Sequence, residues 1–279
     1  MTSFIRTLLL VTLAVIGACR RSSPEQAVPG PSDARADARS VTPSAPDLPP
    51  LEAESWRIEL AVPGFNSAVV SVPLGARTPR PLVIALHGHA DRGDWQCGTW
   101  TGITGAHPFV LCPQGRKLPG AGIERYSYAG PTETERELRA ALKALKSRFG
   151  AHVASGSVIL AGYSLGASHA ARIARQEPSY FSRVVLIEGA YDQWSAADAA
   201  IFAKGGGQKL MVVCARTACK QGAERAVLFT KRARADAELV FPGQLGHLFD
   251  GRVARAIKAR LPWLVEGAEH WPTTQGAKP

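Results

Sequence analysis

The chain has 279 residues, 33 of them Lys or Arg against 23 Asp or Glu, giving a formal charge of +10, and 46% of its residues are hydrophobic. That apolar share excludes a wholly disordered chain, and the length suits one domain of ordinary size with shorter flanking segments. The basic residues are scattered and no groove-binding motif accompanies them, so the charge does not point to nucleic acid; a basic surface beside anionic lipid is a simpler use for it.

Residues 1–18 hold one early arginine, Arg6, then an apolar stretch and small residues. This reads as a secretory signal, too short for a transmembrane helix. The ending "IGAC" resembles a bacterial lipobox. The resemblance implies that Cys19 carries lipid and becomes the mature N-terminus, with the membrane as partner; a signal cleaved at a nearby small residue is the alternative. Arg20 follows the cysteine where an Asp would imply retention in the inner membrane, which favours the outer membrane. Residues 19–50 are rich in Pro, Ala, Ser and charge, with almost nothing to bury, and read as a disordered tether. The folded domain is expected over 51–266 and a flexible tail over 267–279.

The domain opens with a hairpin over 55–73 around "PGF". "PLVIALHG" (81–88) is a continuous apolar run, hence a strand buried on both faces, and "PFVLCPQG" (108–115) is another. "TETERELRAALKALKSRFG" (132–150) predicts a helix capped by Thr132 with Glu135 three residues on, and stopped by Gly150. "SVILAG" (157–162) is a strand and "LGASHAARIARQ" (165–176) a helix. Strands follow at 182–190 and 208–216 with a short helical piece near 196–203 between them. A helix over 222–236, a strand over 237–242 and a last helix over 247–261 complete the series. Strands alternating with helices after an antiparallel start require a mostly parallel eight-stranded sheet with helices on both faces.

Between the strand at 157–162 and its helix lies Gly162-Tyr163-Ser164-Leu165-Gly166, of the form G-x-S-x-G. A strand, a sharp turn carrying serine and a helix make a nucleophile elbow, where glycines are needed because strand and helix approach too closely for side chains. A serine hydroxyl is inert at neutral pH unless a base takes its proton, so the motif asks for a histidine and a carboxylate behind it. "HGHA" (87–90), "GYSLG" (162–166) and "GQLGHLFDG" (243–251) follow the third, fifth and eighth strands in that order. In these motifs segment 55–265 resembles the α/β-hydrolase superfamily, and "FVLCPQG" is similar to the fourth-strand region of polyhydroxybutyrate-depolymerase-like and feruloyl-type esterases. The resemblance implies an α/β-hydrolase fold, a serine esterase and no cofactor.

Of seven histidines, only His247 follows a terminal strand in a glycine-rich turn, where that superfamily places its base. The oxyanion donors implied are the N–H groups of Leu165 and of His89, with Ala90 next; His87 braces the loop. The usual carboxylate would follow the seventh strand, but "KLMVVCARTACKQG" has no acid there. A variant of the superfamily, seen in pancreatic lipases and some haloalkane dehalogenases, places it after the sixth strand. There the chain offers Glu188, at the rigid strand end, and Asp192, four residues on. A Ser–His dyad is the remaining option. Asp250 reads as the cap of the last helix.

Of five cysteines, Cys19 is taken by the lipid. Cys97, read in a loop, Cys112, at a strand end, and Cys214 and Cys219 then suit two disulfides in an oxidising compartment, three pairings being possible. Local pairing, Cys214 with Cys219, is preferred; a metal site has no C-x-x-C spacing to support it. Only segment 189–208 lies where many relatives insert a cap, so an open cleft suited to bulky or polymeric esters is expected. Trp95, Trp100, Tyr126, Tyr128 and Trp194, read on loops at the catalytic edge, would line it. The function expected is thus an exported, lipid-anchored, monomeric carboxylesterase acting on an ester substrate. A peptidase or thioesterase on the same residues, or an inactive binding lipoprotein of the same fold, are the alternatives.

Overall fold

The computed structural model describes residues 47–120 and 122–272. The expected signal, Cys19, most of the tether and the end of the tail lie outside the described residues.

The predicted hairpin is present as β1 (Arg57–Leu60) and β2 (Ala68–Ser71). Then follow β3 (Leu82–Leu86), α1 (Gly93–Thr104), β4 (Phe109–Cys112), the short antiparallel pair β5 (Arg116–Lys117) and β6 (Tyr126–Ser127), and α2 (Pro131–Phe149). The chain continues through β7 (Ile159–Tyr163), α3 (Leu165–Gln176), β8 (Arg183–Ile187), α4 (Ala196–Lys204), β9 (Lys209–Val213), α5 (Thr217–Arg232), β10 (Asp236–Val240) and α6 (Gly251–Val265).

The main sheet has eight strands in the order β1-β2-β4-β3-β7-β8-β9-β10. β2 pairs antiparallel with β1 and β4; every other pairing in this sheet is parallel. Alternate residues of each strand feed two cores. Leu82, Ile84 and Leu86 of β3 belong to the core shared with α2, α3, α4 and α5, while Val83 and Ala85 belong to the core shared with α1 and α6. Period-two alternation between two covered faces is why these strands read as unbroken apolar runs.

Register aligns the strand ends. Tyr163 is level with Ile187, Ile187 with Val213, and Val213 with Val240. The residues just beyond the first three are Ser164, Glu188 and Cys214, so the chain delivers them side by side at one edge of the sheet. That edge is the carboxyl end of a parallel sheet beside β3, where the order reverses, the usual seat of a ligand in an open α/β sheet.

Three local expectations are corrected. Cys97 lies on helix α1, not in a loop. Three glycines at 93, 98 and 102 hide this helix from propensity, and it is held by burial of Trp100 and a Cys97–Cys112 disulfide instead. Thr132 does not cap α2: the helix starts earlier with Pro131 in its first turn, Gly130 is its N-cap and no side chain caps it. Proline serves there because its missing N–H would have no helical partner. The tail does not come loose at 267. Trp271 packs on the core and against the His107 ring, whose Nε2 lies 2.7 Å from the His270 carbonyl oxygen. Gly150 ends α2 and Asp250 caps α6, accepting from the Arg252 and Val253 N–H groups, as predicted.

Candidate active site

Ser164 occupies the turn between β7 and α3 at φ 53°, ψ −115°, a backbone conformation that disfavours any residue with a side chain. Close approach imposes it. A Cβ on Gly162 would meet the Gly166 carbonyl oxygen at 2.3 Å, and one on Gly166 would meet the Leu86 oxygen at 2.4 Å. Glycine at both positions lets α3 start almost on top of β3 and β7. Helix α3 then begins at Leu165, so its first N–H groups have no helical acceptor and face the space above Ser164.

His247 reaches this turn from the loop between β10 and α6. Its Nε2 lies 2.8 Å from Ser164 Oγ and its Nδ1 lies 3.2 Å from Glu188 Oε2. One imidazole thus joins a hydroxyl on one side and a carboxylate on the other. Tyr163 orients the loop from beneath: its hydroxyl donates to the His247 carbonyl at 3.0 Å, and its ring centroid is 5.4 Å from the imidazole's. Burial pushes the Tyr163 hydroxyl up to about 12, so it remains a neutral donor.

Glu188 follows β8 at φ 51° and is 2% exposed. A carboxylate this buried requires partners, and it has three. Its Oε1 accepts from the Ala215 N–H at 2.5 Å; its Oε2 accepts from Arg216 Nε at 2.6 Å and faces His247. His247 is the partner expected from sequence; Arg216 is not. Asp192, the other candidate acid, is exposed and has no bond to His247, whose Nδ1 is already faced by Glu188.

His87 is buried beside the elbow. Its Nδ1 lies 2.7 Å from the Gly88 carbonyl oxygen and its Nε2 2.8 Å from that of Gln114. Desolvation holds its pKa below the ordinary histidine value, and its contacts are those of a brace. Tyr128 stacks on it, accepts from its N–H and donates to the Pro113 oxygen. His89 sits in the same loop with Nδ1 2.8 Å from Ser127 Oγ, followed by Ala90 at φ 55°.

The expected aromatic lining is mostly absent. Trp100, Tyr126, Tyr128 and Trp194 are buried in the body of the protein. Their size placed them in the core rather than along a cleft. Trp95 alone of the five is exposed, with Arg125 and Arg92 over its ring at 4.5 and 5.7 Å. Both expected disulfides are present, Cys97–Cys112 and Cys214–Cys219. Between β8 and β9 lies only the short helix α4 with its loops, and the His247 side chain is 41% exposed, so the site is open.

Arg216 and Tyr163 were missed in sequence. Arg216 had a readable signal: a basic residue directly after β9, beside the strand whose end carries a buried acid. Tyr163 is the variable residue of G-x-S-x-G, where nothing in the pattern singles it out.

No protein-family model matches the chain, and no curated protein matches it in sequence. Solved structures do. An uncharacterized protein from Bacillus cereus superposes with a TM-score of 0.57 at 16% identity, covering 69% of this chain and 62% of that one. The dienelactone hydrolase-like promiscuous phosphotriesterase P91, from metagenomic libraries, gives 0.54 at 15% identity, covering 75% and 96%. Est1E from Butyrivibrio proteoclasticus, solved with ferulic acid bound, gives 0.54 at 13% identity, covering 75% and 99%. With these shared topologies and its mostly parallel eight-stranded sheet, the chain has the α/β-hydrolase fold.

Proposed function

We propose that this protein is a serine hydrolase, a carboxylesterase acting on bulky or polymeric esters with Ser164 as nucleophile, His247 as base and Glu188 as acid. The observation that carries the reading is the single imidazole bonded to Ser164 Oγ at 2.8 Å and facing Glu188 at 3.2 Å. His247 Nε2 takes the hydroxyl proton as Oγ attacks the ester carbonyl carbon. Glu188 stabilises the imidazolium that results. The oxyanion rests on the N–H groups of Leu165 and His89; losing one such donor costs about 3 kcal/mol of transition-state stabilisation. The imidazolium then protonates the leaving alcohol, and the same nitrogen activates the water that cleaves the acyl-enzyme.

The open site and the short β8–β9 connection support a large substrate. The reading extends to an exported protein held at the outer membrane by lipid on Cys19; the two disulfides support an oxidising compartment. The test is a fluorophosphonate probe. Peptide mass mapping should find the adduct on Ser164 in the native protein and none in His247→Ala. Absence of any adduct on the native protein would overturn the reading.

A further inference from the structure

We infer that the Cys214–Cys219 disulfide is a positioning clamp that holds the acid and the base of this site in register; the inference rests on the triad reading above. The bond spans a sequence separation of 5, joining the end of β9 to the first turn of α5. The short segment it closes touches both partners of the serine.

Ala215 does this with both of its backbone polar groups. Its N–H donates to Glu188 Oε1, and its carbonyl oxygen accepts from the N–H groups of Leu245 and Gly246 at 2.8 and 3.1 Å, the two residues before His247. Arg216 adds a bond to Glu188 Oε2. Thr217 ties the base loop again, its N–H and Oγ1 donating to Gln244 Oε1 at 2.8 and 3.0 Å. Carboxylate and histidine loop therefore hang on three consecutive residues, 215 to 217.

Ala215 is also buried in the core, and the Arg216 carbonyl oxygen accepts from the Lys220 N–H at 3.0 Å. Cys214 N–H bonds the Val240 oxygen, which anchors the near end to β10. At the far end α5 begins without a side-chain cap on its N-cap residue, Arg216. The disulfide supplies the missing anchor. Both sulfurs are fully buried and lie within 4.8 Å of a Glu188 carboxylate oxygen. As a stabiliser of the whole fold, so short a loop is worth less chain entropy than the Cys97–Cys112 loop, with a separation of 15. Its distinctive contribution is local geometry, and a small misplacement of catalytic groups is costly.

The test compares Cys214→Ala/Cys219→Ala with the parent protein, each with Glu188 and with Glu188→Gln. With Glu188 present, opening the bridge should lower kcat on an aryl ester ~10–100-fold and move KM less than ~3-fold. With Gln at 188, the same double change should cost several-fold less, because one of the two groups it holds in register has lost its charge and only the displacement of the base loop remains. Equal losses in both backgrounds, or an unchanged kcat, would overturn the clamp. A second measurement covers a variant that does not fold. The native protein is reduced with a phosphine, which takes oxygen from water to become its oxide while the S–S bond takes two electrons from the phosphorus and the water's two protons to give two thiols. Mass mapping follows each bridge. Activity should fall as Cys214–Cys219 opens and return on reoxidation; loss that tracks only Cys97–Cys112 overturns the inference. The His247 Nδ1 proton resonance reads the same geometry without turnover and should shift or broaden when the bridge opens. If it does so in a protein that neither hydrolyses esters nor takes the probe, the triad reading falls and the clamp stands. If it stays put, the clamp falls.

Discussion

Glu188 offers two oxygens to three donors, and the distribution has a chemical consequence. The Ala215 N–H holds one oxygen, while Arg216 and His247 share the other at 2.6 and 3.2 Å. The carboxylate is thereby immobilised in the plane that faces Nδ1. On the proposed triad, Glu188→Gln keeps the shape but removes the charge that would stabilise the imidazolium. Activity on a simple aryl ester should fall ~10³-fold or more, as changes of this kind do in other triads. Asp192→Asn should change the rate less than ~2-fold, since its side chain is solvated and away from His247. Steady-state kinetics on both variants decide the matter; the opposite ranking would move the acid to Asp192. Ser164 and the candidate Glu188 were legible because strand ends in a parallel sheet project onto one edge, and His247 through the resemblance of its glycine-rich turn, while the choice between Glu188, Asp192 and a dyad stayed open in the sequence. Arg216 was not, because a charge after a strand has many solvated uses and only the folded register brings it to Glu188.

At the scale of elements, the elbow depends on backbone contact between α3 and β3. A methyl on Gly166 would press on the Leu86 and His87 carbonyl oxygens at 2.4 and 2.5 Å. Neither can yield without bending β3. Gly166→Ala should cost about 3 kcal/mol and lower Tm by roughly 10 °C. Gly98→Ala is the contrast: nothing lies within 4 Å of the added methyl, and the residue is inside α1. That change should gain about 0.5–1 kcal/mol. Thermal unfolding of both distinguishes contact from propensity; two equal effects would refute the packing account. Helix α1 itself shows where sequence reading ran out. Its glycines, threonines and tryptophans give no apolar stripe at helical spacing, and the bond from Cys97 to β4 is tertiary information. The central strands β3, β4, β7, β8 and β9 carried no such ambiguity, since burial on both faces leaves nearly unbroken apolar runs.

For the whole molecule, one buried carboxyl outside the candidate site contributes to the dependence of stability on pH. Glu137 is 3% exposed and accepts from the Gly115 N–H at 2.8 Å. Burial pushes its pKa from 4.5 up to about 7 against those bonds. Below pH 4.5 both folded and unfolded chains hold the proton, and this group's contribution is fully present. Between 4.5 and 7 the unfolded chain ionises first, so stability declines as pH rises. Above 7 the loss is complete, on the order of 3 kcal/mol. Glu137→Gln cannot ionise and should remove the decline. Whatever its constant effect, the variant's Tm relative to the parent should climb from pH 5 to pH 8; a flat difference would show that Glu137 ionises freely in the folded state.

The left-handed backbone at Ser164 and Glu188 has company. Ala90, Ser164, Glu188 and Ala190 are four of the seven non-glycine residues with positive φ among the described residues, and all lie next to the motifs that build the site. Each such position costs on the order of 1–3 kcal/mol, which the rest of the fold must offset. A search for more heat-resistant versions of this protein, blind to activity, would therefore gain by writing glycine at Ala90, Ser164 and Ala190, whereas Glu188 is held by its three polar partners. Selection for durability alone would remove the Ser164 hydroxyl early and leave a hardier α/β scaffold without the proposed nucleophile.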